Sequence, residues 1–144
     1  MRIIFLNTWN GKMREGITEF IKQQSASTDI FYFQEAYHKM EFFCKELLPR
    51  YKVVTAYKYI ADHNDFPQAT YLRENVPLLS SETILEKLPG TGLGIYTEIK
   101  VRNTLIHLCN FHDTAKPGEK MDTPERLSQS QGLLDFLKEK KGRR

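Results

Sequence analysis

Asn7 and Glu35 each close a short apolar run, Ile3-Ile4-Phe5-Leu6-Asn7 and Asp29-Ile30-Phe31-Tyr32-Phe33-Gln34-Glu35. A strand covered on both faces has little reason to finish on an amide or a carboxylate unless that group sits at a sheet rim facing a cleft, where α/β proteins keep their sites. A third run, Leu108-Cys109-Asn110-Phe111-His112, ends on a histidine. The two-residue strand period puts Asn110 and His112 on one face with Ile106 and Leu108. A carboxylate suits a hard cation such as Mg²⁺, which binds through one or two carboxylates plus substrate phosphate. A rim histidine can bind a phosphate oxygen or exchange a proton near neutral pH.

In order and spacing, Leu6-Asn7-Thr8-Trp9-Asn10-Gly11, Phe33-Gln34-Glu35, Asn110-x-His112 and Arg126-x-x-Gln129 resemble the opening motifs of the endonuclease/exonuclease/phosphatase superfamily. These are Mg-dependent phosphoesterases with a DNase I-like fold. The resemblance implies Asn7, Glu35 and His112 as catalytic residues, with Glu35 and Asn7 at a site for Mg²⁺ (or Mn²⁺) and His112 beside the scissile phosphate. It implies a phosphate-ester substrate, nucleic acid among the candidates, since the superfamily cuts DNA, RNA, inositol phosphates and sphingolipids. The reaction would be metal-assisted, in-line attack of water on the ester.

The departure from the pattern matters as much. Such enzymes carry an Asp-x-Asn strand end and a C-terminal Asp-His pair in their second half, and this chain ends at Arg144 with neither. Asp62-His63 stands in a turn-like context, and Asp113 follows His112 in the wrong order. The expectation is therefore a single domain over 1–144, the N-terminal portion of the family domain, weak or inactive alone because the general base and a transition-state-stabilising Asn are missing. The alternative is a non-catalytic binding or interaction module retaining part of the fold. Omitting much of the second sheet would leave an apolar face, to be covered by a homodimer or a partner chain.

The elements that must position these residues follow from periodicity. Met13, Ile17, Phe20 and Ile21 predict a helix from Met13 to Gln24, and Met40, Phe43, Cys44 and Leu47 predict another from Lys39 to Leu48, stopped by Pro49. Strands are predicted over Tyr51–Ile60, Ala69–Arg73, Glu82–Leu88, Leu93–Lys100 and Asn103–Phe111, with Asp62–Pro67 a loop. Thr123-Pro124-Glu125 opens a last helix with Leu127, Leu134 and Leu137 as its buried stripe. The fold class is α/β (α+β), a DNase I-like sandwich of mixed sheets with helices outside, incomplete at the C-terminus.

The remaining features read as structure. Arg126 and Gln129 tie their helix to the acidic loop of Asp113, Glu119 and Asp122. The lone Trp9 either packs under the site or stacks on a substrate, with the core expected, and the Gly90-Thr91-Gly92 segment is a turn, because a strand and no helix follows it. Lys138, Lys140, Lys141, Arg143 and Arg144 are expected as a solvated helix end. A net charge of +3 allows phosphate-bearing partners without demanding them. Cys44 and Cys109 fit neither a disulfide framework nor zinc spacing, so a reduced, cytoplasmic setting is expected. No stretch approaches the roughly 20 apolar residues of a membrane span.

Overall fold

The structure, a computed structural model, describes residues 1–36, 38–60, 64–65, 67–88, 92–113 and 123–142. In chain order these form β1 (Ile3–Asn7), a 3-10 turn (Trp9–Gly11), α1 (Arg14–Ser25), β2 (Ile30–Gln34), α2 (His38–Leu47), β3 (Tyr51–Ala56), β4 (Tyr59–Ile60), β5 (Asn64–Asp65), β6 (Gln68–Arg73), β7 (Leu78–Ile84), β8 (Leu93–Val101), β9 (Thr104–His112) and α3 (Pro124–Gly142). A first sheet has the order β1-β2-β6-β3, parallel between β1 and β2 and antiparallel elsewhere. A second, antiparallel sheet has the order β7-β8-β9, and β4 pairs with β5.

Side-chain alternation divides the first sheet into two packed faces. Phe31, Phe33, Ala69 and Tyr71 meet Ile17 and Ile21 of α1 and Met40, Phe43 and Cys44 of α2. Ile30, Tyr32 and Leu72 turn the other way and meet Ile99, Ile106 and Leu108 of the second sheet. Every apolar residue of β2 is therefore fully buried, which is why that strand reads as a continuous apolar run. Inside the sandwich the Tyr32 hydroxyl reaches Thr97 Oγ1 at 3.0 Å, and burial pushes the phenol up to about 12.

The second sheet leaves the middle of β1 uncovered. β9 packs over β2, and β8 over β6 and β3, so β1 overhangs. Phe5 is on the inward face of β1, stacks on Tyr32 at 4.7 Å between ring centroids, and is still 57% exposed.

Two cations, the half-buried Arg73 and the buried Lys58, fix the ends of elements. Arg73 donates to the carbonyls of Ser25 and Thr28, groups that the end of α1 leaves without helical partners. Lys58 Nζ donates to the carbonyls of Leu85 (3.2 Å), Leu88 (2.6 Å) and Gly92 (3.0 Å), clamping the segment that feeds β8. Burial lowers the Lys58 pKa, opposed by the charge of Glu86.

Several boundaries move from their sequence expectations. The strand expected over Glu82–Leu88 is β7 at Leu78–Ile84, with Leu85–Leu88 in a turn; its polar Ser80-Ser81-Glu82 face, open on one side, hid the strand. Tyr51–Ile60 is broken into β3 and β4, and Asn64–Asp65, expected as loop, is strand β5. Thr123 caps α3 and Pro124 starts it, as expected, but Leu127 and Leu134 are exposed. The inward stripe runs through Gln129, Gly132, Phe136 and Lys140, at the same helical spacing on another face. Lys140 is not part of a solvated end: it pairs with Glu82 and lies over the rings of Tyr96 and Phe136.

Candidate active site

Asn7, Glu35 and His112 come from three separate strand ends and meet at one rim of the sandwich. Asn7 Nδ2 donates to Glu35 Oε1 at 3.0 Å and lies 3.3 Å from His112 Nε2, which is 3.5 Å from the same Glu35 oxygen. The parallel register of β1 on β2, pairing Asn7 with Gln34, sets Asn7 beside the residue before Glu35. The His112 and Glu35 side chains keep 18% and 24% exposure, so the cluster is accessible without being free in solvent. An unprotonated Nε2 accepts from Asn7, and a protonated one donates to Glu35, so the histidine has a partner in either state.

Buried amides hold β9 at the height this contact requires. Asn110 Nδ2 donates across the sandwich to Phe33 O at 3.2 Å and Ala69 O at 3.3 Å, pinning the strand two residues before His112. Gln34 Nε2 donates to Phe111 O at 2.6 Å, and Gln68 Nε2 donates to Leu93 O. Leu93 is in turn the register partner of His112. Asn7, Gln34 and Gln68 thus form a row of amides across β1, β2 and β6. The sequence reading assigned no part to Gln34 and Gln68. Their signal was present: each stands at the end of an apolar run where a polar residue must find a partner.

Backbone strain gathers at the same rim. Glu35 has φ +53° and Trp9 φ +44°, a region that residues other than glycine seldom occupy and that is often held at functional sites. The turn carrying Trp9 is fastened to Glu35's strand. Thr8 is fully buried, with Oγ1 3.0 and 2.8 Å from the carbonyls of Gln34 and Glu35. Trp9 itself is not in the core, as expected from sequence, but 55% exposed.

Arg126 Nε donates to Asp113 Oδ2 at 2.8 Å, the expected tie of α3 to the segment after His112. Gln129 is fully buried, and a Cβ on Gly92 would stand 2.0 Å from its Oε1, so a larger residue where α3 closes on the start of β8 would displace the Gln129 side chain. Asp62-His63, Gly90-Thr91, Glu119 and Asp122 lie outside the described residues.

Among the described residues no group of three or more His, Cys, Asp and Glu is placed to hold a metal. Of the groups present, the Glu35 carboxylate suits a hard cation of the Mg²⁺ kind that completes its shell with water and substrate phosphate, while Asn7 turns its Nδ2 to that carboxylate and its Oδ1 to the backbone N–H of Trp9.

No protein-family model and no curated relative matches the sequence. Solved structures match it in fold. D. rerio TDP2 humanised by 14 mutations is 18% identical with a TM-score of 0.74, over 95% of this chain and 59% of that one. Truncated Caenorhabditis elegans TDP2 is 14% identical with a TM-score of 0.72, over 99% and 56%. The endonuclease/exonuclease/phosphatase protein of Bacteroides vulgatus is 14% identical with a TM-score of 0.68, over 95% and 59%. The chain has the DNase I-like fold of the endonuclease/exonuclease/phosphatase superfamily and spans a little over half the length of these structures.

Proposed function

We propose that residues 1–144 form the N-terminal portion of a Mg-dependent phosphoesterase domain that hydrolyses a phosphodiester or phosphomonoester. The observation that carries this reading is the convergence of Asn7, Glu35 and His112 within 3.5 Å from three strand ends. Glu35 and Asn7 would hold Mg²⁺ (or Mn²⁺), which supplies charge neutralisation on the phosphoryl oxygens and a more acidic bound water. Asn7 orients the Glu35 carboxylate through its Nδ2 donor. His112 stands where it can donate to a phosphoryl oxygen or take a proton from the attacking water. A matched D. rerio TDP2 structure is a complex with a single-strand DNA product, which supports nucleic acid as the phosphate ester. The two free thiols support a reducing, cytoplasmic setting, and no described helix is long and apolar enough to cross a membrane.

The test is Mg²⁺-dependent hydrolysis of a generic phosphodiester by the purified chain, with Glu35→Gln as the control. The expected result is turnover lowered at least about 100-fold in the variant, the scale of loss when a positioned catalytic group is removed. Because the chain alone is expected to turn over weakly, Mg²⁺ affinity is read by calorimetry beside the rate, and an affinity and a rate that are both equal in the two proteins would refute the reading.

A second reading is a binding module that retains part of the fold, and the overhang of β1 with its exposed Phe5 favours it. A strand or a second copy laid along the outer edges of β1 and β9 would cover both. Light scattering separates the two, because an uncovered overhang predicts dimers that Phe5→Ser dissociates.

A further inference from the structure

Trp9 is the single tryptophan of the chain, and it stands in solvent at the rim of the Asn7, Glu35 and His112 cluster. An indole is among the side chains that gain most from being covered, so one held out beside a polar cluster calls for an occupant. Three features show that it is held there. Its backbone is left-handed, a conformation that a bulky residue keeps only when its surroundings impose it. Its backbone N–H donates to Asn7 Oδ1 at 2.9 Å, so the backbone that carries the indole is tied to the residue that orients Glu35. The turn closes through Gly11 N to Thr8 O at 2.8 Å and Lys12 N to Trp9 O at 3.1 Å, and this brings Lys12 Nζ over the ring, 4.7 Å from its centroid. A flat π surface and a cation thus share one rigid turn next to the proposed reaction centre.

The geometry points to Trp9 and Lys12 as a base-stacking subsite of this site. The indole takes a nucleobase neighbouring the phosphoester at Glu35, and the Lys12 ammonium takes that nucleotide's phosphate. The inference rests on the phosphoesterase reading for where the scissile bond lies, and it narrows the substrate to a nucleic-acid strand with unpaired bases. Inositol and lipid phosphates offer the indole no aromatic face. Stacking is tolerant of base identity because every base has a π surface, and one base on an aromatic side chain raises affinity about 5- to 150-fold.

Because Trp9 is the sole indole, its emission reports the contact without a label. The experiment titrates the chain with a short oligo(dT) and with a strand of equal length and charge that lacks bases, and repeats both on Trp9→Ala and Trp9→Phe by calorimetry. Quenching by oligo(dT) alone is expected. Trp9→Ala should weaken oligo(dT) about 5- to 150-fold and leave the abasic strand unchanged, with Trp9→Phe between, while Lys12→Ala weakens both strands. Equal quenching by the two strands, no quenching by either, or an unchanged affinity in Trp9→Ala would overturn the subsite. Binding is also read in Glu35→Gln, which separates the two proposals. Base-dependent quenching with equal Mg²⁺ affinity in the wild type and Glu35→Gln refutes the phosphoesterase reading alone, and a Mg²⁺ affinity that depends on Glu35 without base-dependent quenching refutes the subsite alone.

Discussion

β1 and β2 are parallel, adjacent and in register, and both end at the same cluster, yet one is buried and the other is not. Ile30, Phe31, Tyr32 and Phe33 of β2 have helices on one side and the second sheet on the other. Phe5 of β1, alongside Tyr32 in the ladder, faces the same way as Tyr32 and remains more than half exposed, because the second sheet does not reach it. Sequence apolarity is the same in the two strands. What lies across from them decides burial, so the value of each side chain to folding is a property of the layer it faces.

Truncation at matched positions should expose this contrast most strongly. Phe31→Ala removes a fully buried ring and is expected to cost about 3–5 kcal/mol in urea unfolding, whereas Phe5→Ala should cost about 1 kcal/mol or less. Similar losses would show that β1 is covered in solution. Next in size is the amide that fastens β9 to β2. Asn110→Ala gives up two inter-sheet hydrogen bonds and leaves two carbonyls without that donor, for an expected loss of about 1–3 kcal/mol by the same measurement.

A smaller effect distinguishes the strands by pH. The Tyr32 phenol is raised from 10.0 to about 12 by burial, so the folded state favours its protonated form. Its contribution is complete below the unfolded value and is lost as pH rises toward the folded one. Between pH 9 and 11 the wild type should therefore lose about 1 kcal/mol more stability than Tyr32→Phe, read from urea midpoints. An identical pH slope in the two proteins would place Tyr32 in water. The smallest effect is kinetic. Burial pushes Cys44 up to about 12 and Cys109 up to about 11, so both should alkylate slowly at pH 8 in the folded chain, Cys109 on the less covered β9 ahead of Cys44 under α2. Mass spectrometry of each peptide over time gives the order.

The sandwich and the three strand ends that carry Asn7, Glu35 and His112 were legible because their signals are local. Continuous apolar runs mark strands covered twice, and a polar residue at the end of each marks the rim. α3 was legible at its start, where Thr123 and Pro124 act through neighbouring backbone, and illegible in its orientation. Leu127 and Leu134 suggested one face, while Gln129, Gly132 and Phe136 occupy the interface, where Gly92 gives space to Gln129 and Gly132 lets Leu85 and Leu88 come close. The amide row of Gln34 and Gln68 escaped notice for a related reason. Its partners, Phe111 O and Leu93 O, belong to another sheet, and register between sheets is not written in any one segment.

The Lys58 clamp bears on the order in which the molecule assembles. Its three acceptors lie 27, 30 and 34 residues along the chain, so none of these bonds can form until a loop of that length has closed. Contacts of such separation are made late, because loop-closure entropy precedes any return from them. The β8–β9 hairpin closes locally, between Val101 and Thr104, so the turn at Leu85–Leu88 should become protected against hydrogen exchange only after that hairpin has formed.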